Sequence, residues 1–454
     1  MSEHYHHLGV FSDWVPAARQ QETLYPVAAP GPKTRALIRE SLGFCQTDET
    51  PMDVKTLSTW EKDGVKGEEV SWSVGYGPRT HAYVLKPSGA KGALPGIVAL
   101  HDHSDFKFYG KEKIADGPQE TLPLLNEFRK LPYGGRAYAN ALAREGFVVL
   151  VHDVFLWGSR RFPLETMMDT MGSKTVTMLR AQQTSGEIET YNNAAYFHEH
   201  WVSKYCNILG TNMAGVVSFE DRVALNYLLS RTDVDSERAG CIGLSGGGNR
   251  AALLTATHES IHATAIIGLM TTYAALLDHN MSHTWMLFPF GWARHGDWPD
   301  IAASRAPSPL LVQYDLEDDL FTEDGMRDAH MRLQDHYWSV GKPDAYTGQF
   351  YPGHHKFDLE MQSAAFDWLK EQVKKKVMQH LCCEPLEVIQ AQDKSCGTIT
   401  LCLPLLWCRL QYPDCLEAIT NHRVNCGLHF DLAALRGIDL RQVVPNLLGQ
   451  NKQN

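Results

Sequence analysis

Cysteine is scarce over most of this chain. Of ten cysteines, only Cys45, Cys206 and Cys241 precede residue 380. That excludes a disulfide framework for the long N-terminal part, which reads as a reduced protein without metal or disulfide staples. Long apolar runs are missing as well: none approaches the ~20 residues a membrane helix needs. The start, Met1-Ser2-Glu3-His4-Tyr5-His6-His7, lacks the basic-then-apolar pattern of a secretory signal. A cytoplasmic protein with no membrane partner is the expectation. Positive charge is not in excess either, with 42 basic against 53 acidic residues and a formal charge of -11. Nucleic acid is therefore not an expected partner.

What is present is enough for a large core, since apolar residues make up 44% of 454. Residues 1–65 have weak periodicity and several prolines, and read as an arm with one short helix near Thr34–Leu42, packed on the main domain. His4, His6 and His7 fit a solvated terminus better than a metal site. From Glu68 to Pro87 apolar residues alternate around Gly75-Tyr76-Gly77-Pro78, which predicts a hairpin. Buried strands are expected at Pro95–Leu100, Phe147–Val151, Arg238–Ile242, His262–Gly268 and Pro309–Tyr314. Between and after them, helical patterns run from Arg136 to Glu145, from a Ser218/Asp221 capping pair, through Met326, Ala329, Leu333 and Tyr337, and through Met361, Ala365, Trp368 and Leu369. The span from Phe162 to Leu209 is less regular. Alternating strands and helices predict an α/β domain over 66–376, with a mostly parallel central sheet and helices on both faces. Chemistry in such sheets sits beyond the C-terminal strand ends.

The stretch Cys241-Ile242-Gly243-Leu244-Ser245-Gly246-Gly247-Gly248-Asn249-Arg250 holds G-x-S-x-G between an apolar strand and a run of helix formers. That is the setting of a nucleophile elbow, with Ser245 lifted above the sheet edge. A serine hydroxyl needs a base, and a histidine titrating near neutrality suits the task. A carboxylate must then orient the ring, and in a fold with this elbow the chain order is serine, acid, histidine. The acid is expected in Asp315-Leu316-Glu317-Asp318-Asp319, with Asp318 favoured and Asp319 and Asp315 open. The histidine is expected in Gly353-His354-His355-Lys356, with His355 favoured over His354. Two oxyanion donors are expected from the backbone: Gly246 after the nucleophile and His103 in the loop after Leu100. His101-Asp102-His103 could suggest a metal site, but its two histidines face opposite ways at a strand end and no third ligand is evident. No metal and no cofactor is expected. An aromatic insertion, Met281 to Trp292 followed by Trp298, reads equally as a wall over the site or as packing.

Several ordered motifs together resemble the alpha/beta-hydrolase superfamily. Within it the chain is most similar to the bacterial acetyl xylan esterase and dienelactone hydrolase branch, over residues 65–375. The resemblance rests on His101-Asp102-His103, Gly110-Lys111-Glu112-Lys113-Ile114, Asp153 to Gly158-Ser159-Arg160, Gly243-Leu244-Ser245-Gly246-Gly247, Asp318-Asp319-Leu320-Phe321 and Gly353-His354-His355-Lys356-Phe357-Asp358. It implies a Ser245–His355–Asp318 triad and an oxyanion hole from His103 and Gly246. Two departures stand out: Asp102 replaces a glycine common among relatives, and Ser245 replaces the cysteine of dienelactone hydrolases proper. The expected activity is a serine esterase that removes a small acyl group, acetyl above all, from a small-molecule ester through an acyl-enzyme. A prolyl-oligopeptidase-type peptidase and a non-catalytic ligand-binding protein are the alternatives. A homo-oligomer is left open. Residues 377–454, with seven cysteines from Cys382 to Cys426, form an extension to which the motifs assign no role.

Overall fold

The structure is a computed structural model that describes residues 5–44, 48–172, 175–177, 186–383, 388–393 and 397–402, with side chains as far as residue 373. It forms two compact units, Met1–Met378 and Gln379–Asn454. In the first, nine strands make one sheet in the order β1-β2-β3-β5-β4-β6-β7-β8-β9. They are β1 (Met52–Lys62), β2 (Val65–Ser73), β3 (Thr80–Pro87), β4 (Leu94–Leu100), β5 (Val148–His152), β6 (Val234–Leu244), β7 (Ile261–Ile267), β8 (Leu310–Asp315) and β9 (Tyr346–Tyr351). The pairs β1–β2, β2–β3 and β3–β5 are antiparallel, and every pair from β5–β4 to β8–β9 is parallel.

Continuous apolar runs in β4, β5 and β8 follow from burial on both faces. Val98, Leu100, Val148, Leu150 and Val312 point into one core, with the helices Met213–Leu229 and Gly246–Thr257. Ile97, Ala99, Val149, Val151 and Leu311 point into the other, with Met361, Ala365 and Leu369 of the last helix. Each Val, Leu, Ile or Met among them, fully buried, adds roughly 1.5–3 kcal/mol relative to exposure. The predicted hairpin is β2–β3, with Val70 and Trp72 buried on one side and Tyr83 and Leu85 on the other.

Three differences from the sequence reading have physical causes. The strand β1 and the helix Trp14–Gln21 lie in the stretch where only one helix was expected. β1 is an edge strand, largely exposed, so burial imposes no alternation on it. Ser218 does not cap a helix: the helix starts at Met213, Asn212 caps it by accepting from the Gly215 amide (3.0 Å), and Ser218 and Asp221 lie buried within it. The irregular span contains a 22-residue helix, Glu187–Ile208. Its buried face mixes Thr190, His198, Glu199 and Ser203 with Tyr191, Ala194, Ala195, Val202 and Cys206, so its apolar stripe is interrupted.

In the second unit, Val388–Asp393 and Gly397–Cys402 pair antiparallel. The side chains of Cys382, Cys383 and Cys402, and residues Cys396, Cys408, Cys415 and Cys426, lie outside what is described. No described helix is long and apolar enough to cross a membrane.

Candidate active site

β6 delivers Ser245 into a sharp turn before the Gly246–Thr257 helix, and the serine adopts φ 57°, ψ -124°. A non-glycine residue held at positive φ is strained. Its amide is anchored to the Ile267 carbonyl (2.9 Å), and its carbonyl accepts from Asn249 (3.0 Å). The turn is packed tightly from below. A Cβ on Gly247 would run into the Leu100 carbonyl, and one on Gly246 would stand 2.7 Å from the His103 nitrogen. Gly246 opens the helix, so its amide has no intrahelical acceptor, and the His103 amide donates no hydrogen bond among the described residues. Two free backbone donors therefore lie beside the serine.

On the other side, the loops after β8 and β9 bring Asp318 and His355 together. His355 Nδ1 lies 2.6 Å from Asp318 Oδ2, and the second oxygen of Asp318 accepts from the Leu320 amide (2.8 Å). A ring proton on Nδ1 leaves the Nε2 lone pair free to accept a proton. Nε2 is buried and has no partner. His355 Cε1 lies 3.2 Å from the position of a Cβ on Gly268, next to the Ile267 that anchors Ser245. No Ser245 Oγ–His355 Nε2 bond is formed, and such bonds often tighten only when substrate binds. Burial disfavours a charged His355, yet the Asp318 bond and the charges of Asp315 and Asp102 outweigh it and raise its pKa.

The alternatives in the two loops have other employment. His354 Nδ1 faces the Glu317 carbonyl (3.0 Å), and Asp319 is exposed. Asp315 is buried; its Oδ2 accepts the Lys356 amide (3.1 Å) and its Oδ1 has no partner. Burial pushes its pKa up to about 7. Asp315, Asp318 and His355 offer ligand atoms within 4.8 Å of one another, a donor set that a cation could also use. His355 Nδ1 is already engaged by Asp318, which makes it a poor one.

The donor loop is held by groups that sequence reasoning did not assign. Asp102 is buried against Lys113 Nζ (3.1 Å) and accepts from the hydroxyls of Tyr133 and Ser104. Arg250, next to the elbow motif, is fully buried; it pairs with Asp221 (2.7 Å) and donates to the His101 carbonyl (3.3 Å). The His103 ring meets Glu199 through Nε2 (2.8 Å), while the Asp105 amide donates to Nδ1 (3.2 Å). Glu199 lies in the less regular span from Phe162 to Leu209, to which the sequence assigned no role.

The aromatic insertion divides between the two readings given to it. Trp292 and Trp298 are core residues, whereas Met281, Trp285 and Phe290 are exposed. His283 stacks on Phe321 (4.8 Å) and lies 3.1 Å from the Leu320 carbonyl, and Asn249 donates to the Met286 carbonyl (3.2 Å). The insertion thus touches both the acid loop and the elbow helix. A separate cavity of about 760 Å³, lined by Ser104, Phe106, Phe128 and Glu187, opens beside the donor loop and includes neither Ser245 nor His355. Geometry around Ser245, not cavity size, locates the candidate site.

No protein-family model matches the chain. In sequence it is 23% identical over 301 residues to YtaP of Bacillus subtilis (strain 168), a protein provisionally named a hydrolase, covering 66% of this chain and 85% of that one. In structure it is similar to a protein of Bacteroides fragilis NCTC 9343 provisionally described as an acetyl xylan esterase (TM-score 0.54, 18% identity, 70% of this chain and 73% of that one). It is also similar to a glucuronoyl esterase from Solibacter usitatus (TM-score 0.53, 15% identity, 77% and 98%). These likenesses establish an α/β-hydrolase fold.

Proposed function

We propose that the protein is a serine carboxylic-ester hydrolase that removes a small acyl group, acetyl above all, through an acyl-enzyme. The observation that carries this reading is the His355–Asp318 pair at 2.6 Å, across from a strained Ser245 with two unpaired amides beside it. Ser245 Oγ attacks the ester carbonyl while His355 Nε2 takes its proton. Asp318 keeps the proton on Nδ1 and stabilises the imidazolium. The carbonyl oxygen becomes an oxyanion that the His103 and Gly246 amides receive. His355 returns the proton to the departing alcohol, and water repeats the sequence to release the acid. No step requires a metal or cofactor. The names of the relatives support an ester substrate; the serine in place of cysteine favours ordinary esters over dienelactones. The catalytic domain of this reading is 66–376, with 1–65 as an arm that adds edge strand β1 to its sheet and 377–454 as an extension, in a cytoplasmic protein.

Hydrolysis of p-nitrophenyl esters from acetate to octanoate tests it, with Ser245→Ala alongside. The expected result is fastest turnover on acetate and a loss of at least about 10⁴-fold in kcat in the variant. Absence of turnover on every ester by the folded protein contradicts it and turns attention to peptides or to ligand binding.

A further inference from the structure

We propose that Glu199 is a positioning residue that holds the His103 oxyanion donor in register with Ser245 by tying the loop after β4 to the insertion between β7 and β8. The inference rests on the esterase reading and adds a residue to it. Glu199 is 5% exposed and sits in the middle of the Glu187–Ile208 helix. One carboxylate oxygen accepts from His103 Nε2 (2.8 Å) and from Lys107 Nζ, both on the loop after β4. The other accepts from Thr284 Oγ1 (3.1 Å) and the Trp285 amide (3.2 Å), both on the insertion. Four donors from two separate segments thus converge on one buried carboxylate.

The arrangement is directional. The Asp105 amide donates to His103 Nδ1 (3.2 Å), the Asp105 carboxylate lies 3.3 Å from the same nitrogen, and Nε2 faces Glu199. The ring is also packed edge-on against Trp157 at 5.2 Å. With both ring nitrogens engaged, the residue that bears the free amide has little freedom to rotate. Lys107 is itself buried and also donates to the Ala195 carbonyl (3.2 Å). A carboxylate needed only for stability would require no contact with the one residue whose amide faces Gly246. The His103 link is the feature that a packing role leaves unexplained. Displacing a catalytic group by about 1 Å costs up to about 100-fold in rate, so losing this tether lowers kcat more than substrate affinity.

The test uses the full-length protein, p-nitrophenyl acetate, and the variants Glu199→Gln, His103→Phe and the double variant. His103→Phe keeps the backbone amide and the aromatic packing while removing Nε2. Each single change is expected to lower kcat about 30-fold with KM changed less than threefold, and the double variant to be no slower than the slower single one. Multiplicative losses, or a kcat in His103→Phe equal to that of the parent, overturn the inference. If Glu199→Gln does not fold, His103→Phe alone decides. A parent with no ester turnover defeats the esterase reading and this one with it; an active parent with unimpaired variants defeats this one alone.

Discussion

On the donor side of Ser245, Asp102 and Glu199 are buried beside Lys113 and Lys107. Burial alone would raise both carboxyls, but Lys113 holds Asp102 below its ordinary pKa, and Lys107 with His103 holds Glu199 well below. On the acid–base side the shifts run the other way: burial pushes Asp315 up to about 7, and His355 is raised. The first set pairs buried carboxylates with buried lysines, suited to fixing a loop. The second holds a carboxyl raised to about 7 and an imidazole raised above its ordinary value, suited to taking up and returning a proton. In the proposed mechanism this is the division between holding an oxyanion and moving a proton.

Substitutions can break that contrast in order of size. Asp318→Asn is expected to lower kcat by about 10³–10⁴-fold, because the ring loses the partner that fixes its tautomer. Asp319→Asn is expected to have little effect, and steady-state kinetics on p-nitrophenyl acetate separates the two. Gly246→Ala drives a methyl group to 2.7 Å from the His103 nitrogen. It is expected to lower kcat about 10²–10³-fold, the scale of losing one oxyanion donor, with KM changed little.

The pH dependence sharpens the same comparison. His355 must be neutral to act as a base, and its pKa is raised above 6.5. The acid limb of kcat/KM should therefore lie above pH 6.5, with activity falling as pH drops through it. The smallest effect is on stability. Asp315 keeps its proton in the folded chain up to about pH 7, whereas the unfolded chain releases it near 3.8. Its stabilising contribution is complete below pH 3.8 and is lost as pH rises to about 7, by at most on the order of 4 kcal/mol. Asp315→Asn should flatten that decline in urea unfolding measured at pH 5 and pH 8.

The two sides also differed in how far they could be read from sequence. The turn at Ser245 and the contact between Asp318 and His355 could be anticipated because each group sits in a short loop at a strand end. The strands β4, β5 and β8 were legible because continuous apolar runs record burial on both faces. The supports of the donor loop were not. Glu199 reaches His103 across 96 positions and Trp285 across 86, and Arg250 reaches the His101 carbonyl across 149. Nothing local marks a polar residue as buried when its partners lie that far away, and the same buried polar residues interrupted the apolar stripe of the Glu187–Ile208 helix. Edge strand β1 was missed for the converse reason, since exposure left it no pattern.

The most direct test of the central claim is intact-mass and peptide-mapping analysis after treatment with a fluorophosphonate. The account predicts one adduct per chain, on Ser245, absent from Ser245→Ala and formed more slowly in Asp318→Asn. A folded protein that acquires no adduct, or acquires it at another residue, contradicts it.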